Sequence, residues 1–544
     1  MNADTHENIS TDSSTHASPI RTTDALAPFR YRTFSVLWCA TVIANTGTWM
    51  QSAAAGWFMT SLNPDPFIVS LVQVAASLPM FIFAIVAGAL ADIFDRRKLI
   101  IVIQIIVTLL IVGFTFMIRL SLVTPTSLLV FVFLVTTAAA LIMPVWQSIV
   151  SQLVPRTLIQ PAVALNSAGV NVSRAVGPAL AGVIIAAWGM AAPFWLNAIS
   201  NLAVIAALGW WRPVGSDAVR SVPSERFFLA VGAGLRYARH NPHLRATQLH
   251  ALGFFLFASA YWALLPLVAR DQITGGATLY GLLLGTIGVG AVAGAFAVPW
   301  LKSRLGADGL VAVGAMGTAI ALLLFAFARQ AATAFAASAT AGISWIVVLV
   351  TLNVSAQVAL PEWVRGRGLS IYMTVMFGAL TLGSAIWGKI AAWTGLPAAQ
   401  VIAALGAAAA VPLLWRWRLE TGAVLDLTPS RHWPEPVPLG EIALDRGPVL
   451  VTIEYRIKSG DRDGFLEAIG HLAGERRRDG AFAWEVFEDP EHDGLFVETF
   501  MLNSWAEHLR QHARVTDADR TMQEAVDRFQ IDGFPKVTHL LAAR

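Results

Sequence analysis

The chain of 544 residues is 56% apolar and only 13% charged, with a mean hydropathy of +0.61. Ordinary soluble proteins carry about 25% charged residues, so this composition excludes a disordered chain, a coiled coil and an ordinary soluble enzyme. The charge is divided unevenly: residues 1–418 hold 24 Lys and Arg against 12 Asp and Glu, whereas residues 419–544 hold 14 against 23. A basic membrane body followed by an acidic soluble tail fits that division. The basic excess lies between apolar segments and does not indicate nucleic-acid binding. Cys39 is the only cysteine, which excludes an internal disulfide and a thiol metal cluster.

Residues 1–27 form a polar leader without the basic start and apolar core of a cleavable signal, and are expected to be disordered and cytoplasmic. A spanning helix needs about 20 mainly apolar residues. Twelve such segments follow, at 34–60, 66–91, 98–118, 126–150, 158–187, 190–211, 247–269, 278–300, 308–328, 331–358, 368–393 and 397–418. They group into an N-terminal six-helix bundle, 28–211, and a C-terminal six-helix bundle, 247–418. The polar linker 212–246 separates them. Within it, Ser224 to His240 predicts an amphipathic surface helix with Phe227, Val231 and Leu235 on one side. Lys and Arg bias places both chain ends in the cytoplasm: 19 basic residues fall on that side and three, Arg119, Arg270 and Arg329, on the other.

The two halves echo each other. A shift of 206 residues takes Pro155 to Pro361, Gly177 to Gly383 and Gly182 to Gly388. Repeated halves are the architecture of secondary transporters, with a site between them near the bilayer midplane. No phosphate-binding Gly-x-x-x-x-Gly-Lys-[Ser/Thr] loop is present, which argues against ATP drive.

The connection between the second and third segments reads Gly88-Ala-Leu-Ala-Asp92-Ile-Phe-Asp95-Arg96-Arg97-Lys98. Gly88 lets two helices approach, Asp92 suits a neighbouring helix N-terminus, and the basic cluster can pair with acids across the contact between halves. This loop resembles the signature of the major facilitator superfamily, which implies that Gly88, Asp92, Asp95, Arg96 and Arg97 act as a conformational gate. The second half keeps a worn copy in which Val298 replaces the aspartate. Gly169, Gly177, Pro178 and Gly182 resemble a loose form of the superfamily's antiporter motif, where small residues permit close packing and proline bends the helix. With the Asn-Ser…Asn-x-x-Arg-x-x-Gly-Pro run and Pro155, these features resemble the branch containing the enterobactin exporter and similar secretion permeases. The resemblance covers residues 25–420. It implies export of a siderophore-like or drug-like small molecule across a bacterial inner membrane, with proton antiport.

Polar groups inside a membrane are costly and mark functional candidates. On the fifth segment Asn166, Ser167, Asn171, Arg174 and Gly177 fall on one helical face, and Arg174 could hold an anionic or catecholate group. Asn45, Trp49 and Gln51 on the first segment, Trp345 on the tenth and Tyr372 on the eleventh complete the expected substrate pathway. No carboxylate lies well inside any segment. Lys389 is expected to snorkel, and a lone His250 needs no special role.

After a Pro-rich linker, 419–447, alternation from Val449 to Ile457 predicts a half-buried strand. A helix with Phe465, Ile469 and Leu472 follows, then strands at Phe482–Glu488 and Leu495–Leu502, a helical region from Ser504 to Phe529 and a strand at Lys536–Leu541. This βαββαβ order predicts a small cytoplasmic α+β ferredoxin-like domain at 448–544. With Trp484 and the Trp505-to-His512 run, it resembles the antibiotic-biosynthesis-monooxygenase domains, which implies a homodimer and leaves open a cofactor-independent enzyme acting on the cargo. A non-transporting sensor is the remaining alternative. His508 and His512 stand at a spacing usable by a metal. Without a His-Glu-x-x-His pattern, neither a metal nor a cofactor is assigned. The fold class is thus an all-α membrane protein of twelve spanning helices in two repeats, with an α+β tail. Its expected partners are a small molecule, protons and the lipid bilayer.

Overall fold

The computed structural model describes residues 25–93, 95–150, 152–211, 227–419, 427, 428, 430, 433, 440, 442–531 and 533–543. Side chains are described for these except 85–93, 144, 147, 148, 156 and 227–231. The predicted leader and most of the Pro-rich linker lie outside the described residues.

The first bundle comprises α1 (Arg32–Leu62), α2 (Pro66–Ile93), α3 (Arg96–Arg119), α4 (Pro125–Val150), α5 (Ile159–Trp188) and α6 (Ala192–Trp210). A short α7 (Phe227–His240) leads to the second bundle. That bundle comprises α8 (Pro242–Leu267, ending in a π-helical turn Val268–Gln272), α9 (Ala277–Ala326), α10 (Ala331–Val358), α11 (Arg365–Thr394) and α12 (Leu396–Leu414). Among the described residues, ten helices are long and apolar enough to cross a membrane: α2–α6 and α8–α12. α1 falls short on composition because Asn45, Thr46, Thr48, Gln51 and Ser52 interrupt its apolar run.

The twelve expected segments fall on eleven helices. Segments 278–300 and 308–328 share the 50-residue α9, whose run is broken at Gly306 with φ +66°. A left-handed backbone is open to glycine at little cost, so the chain turns there without a loop. Apolar side chains such as Leu109 (66% exposed) and Phe296 (83% exposed) point outward, as a lipid-facing surface requires.

The bundles meet along α5 against α9 and α2 against α11. The 206-residue echo explains this pairing. Gly177 packs on α1 within its own bundle, and its counterpart Gly383 packs on α8. Gly182 faces Ala277 and Thr278 of α9, whereas Gly388 faces Phe67 and Ser70 of α2. Each half thus contributes one glycine to its interior and one to the opposing half.

The tail contains β1 (Val449–Arg456), α13 (Arg462–Arg478), β2 (Phe482–Glu488), β3 (Leu495–Leu502), α14 (Trp505–Arg514), α15 (Asp517–Asp527) and β4 (Lys536–Leu541). The expected second helical region is therefore two helices. Thr516 starts the second with a reciprocal capping box to Asp519, which satisfies donors the chain would otherwise leave open. The sheet is antiparallel in the order β2-β3-β1-β4. Val449, Val451, Ile453 and Tyr455 alternate into a core with Phe465, Ile469, Phe496 and Phe500.

Candidate functional site

At the end of the bundles carrying Asn63 and Gly275, the two halves are held together. The Arg270 guanidinium donates to the Thr60 carbonyl. Thr278 Oγ1 donates to the Gly182 carbonyl at 3.3 Å, and Trp57 stacks on Tyr280 at 6.0 Å. Nearer mid-helix, Ser77 and Thr381 share a hydrogen bond of 2.8 Å between α2 and α11.

Beneath this seal lies a cavity of about 110 Å³ lined by α1, α2, α4, α8 and α9. Its polar groups include Thr48, Gln51, Gln73 and Thr136, with Trp262 and Tyr280 as aromatic walls. Gln51 accepts a 2.8 Å hydrogen bond from the buried Asn197 of α6, which fixes its amide. No carboxylate is among the lining residues. The cavity therefore offers amides, hydroxyls and aromatic faces, suited to orienting a small molecule by hydrogen bonds within an apolar enclosure.

Of the expected pathway residues, Gln51 lines this cavity. Trp49 and Arg174 come together outside the cavity lining, with the guanidinium 5.0 Å from the indole centre. Arg174 Nε is buried without a hydrogen-bond partner. Trp345 sits behind the wall, its ring 5.4 Å from Trp262 and 5.1 Å from Phe255. Tyr372 is fully buried with an unpartnered hydroxyl. Asn45 is half-buried and does not line the cavity. Asn166 accepts from Trp146 at 3.4 Å, and Asn171 donates to the Ser167 carbonyl of its own helix at 3.0 Å. Neither asparagine lines the cavity. Gln73, Asn197 and Trp262 were not singled out from sequence, although Gln73 is the only amide in α2 and such isolation is a usable signal.

Gly169 and Gly177 bring α5 onto α1: a Cβ on either would approach Val42 or Trp49 within 2.7 Å. Gly182 and Pro178 belong to the contact with α9 instead. In the gate motif, Gly88 and Asp92 lie in the last turns of α2, and their side chains are outside the described residues. Asp95 caps α3, accepting from the Lys98 amide at 2.9 Å. Arg96 is half-buried. Arg97 departs from the expected pairing with acids across the halves. It donates to the Leu208 and Gly209 carbonyls, both at 2.7 Å, within its own bundle. The open carbonyls and negative dipole end of α6 supply the attraction. Lys389 stacks on Phe67 and Trp393, and His250 bonds the Trp417 carbonyl at 2.9 Å.

The tail is docked on the second bundle. Glu507 of α14 accepts from Arg236 of α7 at 3.3 Å and from Arg514 at 2.7 Å. The Arg514 guanidinium lies 4.4 Å from the ring centre of Trp363, at the α10–α11 connection. Tyr237 of α7 donates to the Ala359 carbonyl at 3.1 Å and receives the Arg478 guanidinium against its ring at 5.5 Å. The face of α7 that packs is Ala233, Gly234, Tyr237 and Ala238. Leu235 of the expected apolar stripe is 61% exposed. Burial works to raise the Glu507 carboxyl, but Arg514, Arg236 and Arg510 outweigh it and hold the pKa below its ordinary value. Within the tail, Glu498 is fully buried and accepts from Arg476 at 3.0 Å, Trp484 at 2.8 Å and Tyr455 at 3.1 Å.

Two bundles closing on a central cavity define a multi-pass membrane transporter of the major facilitator type. Residues 23–544 match the transmembrane secretion effector family, and the chain belongs to it. The staphyloferrin A transporter of Staphylococcus aureus is 22% identical over 344 residues, 62% of this chain and 84% of that protein. The multidrug efflux pump Tap of Mycolicibacterium fortuitum is 22% identical over 369 residues, 66% of this chain and 89% of that protein. A bacterial homologue of the human lysosomal transporter Spinster, in an inward-facing and occupied conformation, superposes with a TM-score of 0.58 at 14% identity, covering 72% of this chain and 98% of that one. The nucleoside transporter NupG superposes with a TM-score of 0.55 at 12% identity over 71% and 98% of the two chains. The family and these relatives are transporters, and the chain is a transporter rather than an enzyme.

Proposed function

We propose that this transporter exports a small siderophore-like or drug-like molecule across a bacterial inner membrane by alternating access, driven by proton antiport. The observation that carries the reading is the cavity between the halves, sealed at the Thr60–Arg270 end; outside its lining, a buried cation, Arg174, is held against Trp49. An anionic or catecholate group on the cargo would give Arg174 its missing partner, while Gln51, Gln73 and the aromatic walls would hold the remainder. A siderophore transporter and a drug efflux pump among the relatives support the cargo class. Twelve crossings follow if α1 spans despite its polar centre and α9 crosses twice, turning at Gly306. The Lys and Arg bias then puts both ends and the tail in the cytoplasm. The gate motif Gly88, Asp92, Asp95, Arg96 and Arg97 sits at that side, and the seal at the other corresponds to a form open to the cytoplasm.

The tail's strand order, together with its two helical regions, supports a ferredoxin-like domain. Its open sheet face carries Phe482, Met501, Leu450 and Leu540 in one cross-strand row, a surface on which a second copy would form a homodimer. Proton-coupled export is tested in inverted membrane vesicles. Siderophores, dyes and antibiotics are added in turn, and collapse of the pH gradient is compared between wild type and Asp92→Asn. A cargo-dependent collapse seen with wild type alone supports the reading. Equal responses from both proteins, or silence with folded wild type, would overturn it.

A further inference from the structure

The tail contains a histidine cluster that none of the transport chemistry uses. His508 and His512 lie one turn apart on α14, so both rings project from the same helix face. His539 comes from β4, where it pairs with Val451 of β1. Paired residues share a sheet face, and Val451 is part of the tail core, so His539 points toward the helices. One nitrogen from each of the three rings lies within 4.8 Å of the other two. The ring centre of His508 is 4.7 Å from that of His512 and 4.6 Å from that of His539.

A second observation distinguishes this cluster from ordinary core packing. His508 is 2% exposed, and neither of its ring nitrogens has a hydrogen-bond partner. Buried polar atoms are almost always satisfied, and each exception calls for a reason. Gln511, on the same face of α14 and 1% exposed, has both amide atoms unpartnered as well. A histidine present only to fill space needs one nitrogen bonded. A histidine that is a ligand keeps one free for the metal.

We propose that His508, His512 and His539 form a binding site for a divalent transition metal of the zinc class. Three imidazoles with no carboxylate or thiolate in the set favour zinc, cobalt, nickel or copper over magnesium or calcium. Tetrahedral zinc binds imidazole nitrogen at about 2.0–2.1 Å, which sets ligand nitrogens about 3.3 Å apart. Turning the rings of the two half-buried histidines, His512 and His539, supplies that contraction. Three protein ligands leave a fourth position for water or an exogenous ligand, and the Gln511 amide is the neighbouring group able to bond it. His539 lies far along the chain from the other two, so local spacing does not reveal the site.

The test uses the full-length protein purified in detergent through a histidine-free tag, stripped with chelator and titrated with Co²⁺ and then Zn²⁺. The expected result is one equivalent of Co²⁺ giving visible ligand-field bands that Zn²⁺ removes. His539→Asn and His512→Asn each abolish the bands and weaken Zn²⁺ at least about tenfold. His508→Phe, which keeps the packing against Trp505, does the same. His492→Asn, at an exposed histidine of the β2–β3 turn, leaves binding unchanged. Unaltered hydrogen-exchange protection of β1 in the variants shows that the tail remains folded. Absence of bands in wild type, or bands that survive both His539→Asn and His508→Phe, would overturn the proposal.

Discussion

Gly182 of α5 and Thr278 of α9 touch backbone to backbone across the two halves: a Cβ on the glycine would come within 2.8 Å of the Thr278 Cα. The opposing atoms belong to main chain, so no side chain can swing aside. Overpacking of this kind costs about 1–3 kcal/mol. Gly182→Leu is expected to cut transport by about tenfold or more, because every leucine conformer props the seal apart. Gly113→Ala, with nothing within 4 Å of its added carbon, serves as the matched control in the same vesicle assay. Equal rates for the two variants would remove the seal from the cycle.

Arg174 provides the second prediction. Hydrogen bonds to charged groups contribute about 1.5–3 kcal/mol, so Arg174→Gln should weaken transport of an anionic cargo by about tenfold to a hundredfold. Neutral cargo should lose less, and Arg174→Lys should retain part of the anionic rate. Competition by anionic and neutral analogues of one molecule checks this. A uniform loss across both analogues would assign Arg174 to packing alone.

At the docking contact, Glu507→Gln removes a carboxylate shared by Arg236, Arg510 and the nearly buried Arg514. Arg514 keeps its bond to the Asp479 carbonyl, so the loss is that of the charge-assisted hydrogen bonds, about 1.5–3 kcal/mol, and hydrogen exchange in α7 and α14 should rise. Because the folded pKa of Glu507 lies below its ordinary value, the contact's full contribution is present at neutral pH. It is lost only as acid passes through the folded pKa.

Glu475 has the opposite sign. Burial, followed by the Asp519 carboxylate, pushes its pKa up to about 8. The folded tail therefore holds a proton that the unfolded chain gives up, and stability declines as pH rises from the ordinary carboxylate range to about 8. Glu475→Gln should flatten that decline and stabilise the tail at alkaline pH. Hydrogen exchange of β1 across a pH series, corrected for intrinsic rates, measures it.

Much of this was legible in the sequence where a local pattern corresponds to a local structure. Alternation marked β1, whose Val449, Val451, Ile453 and Tyr455 are buried, and the shift linking Gly177 to Gly383 and Gly182 to Gly388 marked the repeat. What resisted reading depended on unseen partners. Arg97 meets α6 carbonyls, which carry no sequence signature. α7 packs by its small residues, Gly234 lying against Arg367, a contact that the apolar stripe through Leu235 does not announce. The break at Gly306, by contrast, was legible, because Lys302, Ser303, Arg304 and Asp308 interrupt the apolar run there. Among the expected pathway residues, the Trp49–Arg174 pair unites residues picked from separate segments, whereas Asn166 and Asn171 hydrogen-bond to Trp146 and to the Ser167 carbonyl.

Because α7, Trp363 and the tail share one set of contacts, the proposed alternating access predicts that the tail moves with the second bundle as the halves turn against each other. A dye on the tail and another on the first bundle would thus convert each turn of the transport cycle into a change of distance. The fused domain gives the molecule a pointer whose swing can be followed one molecule at a time.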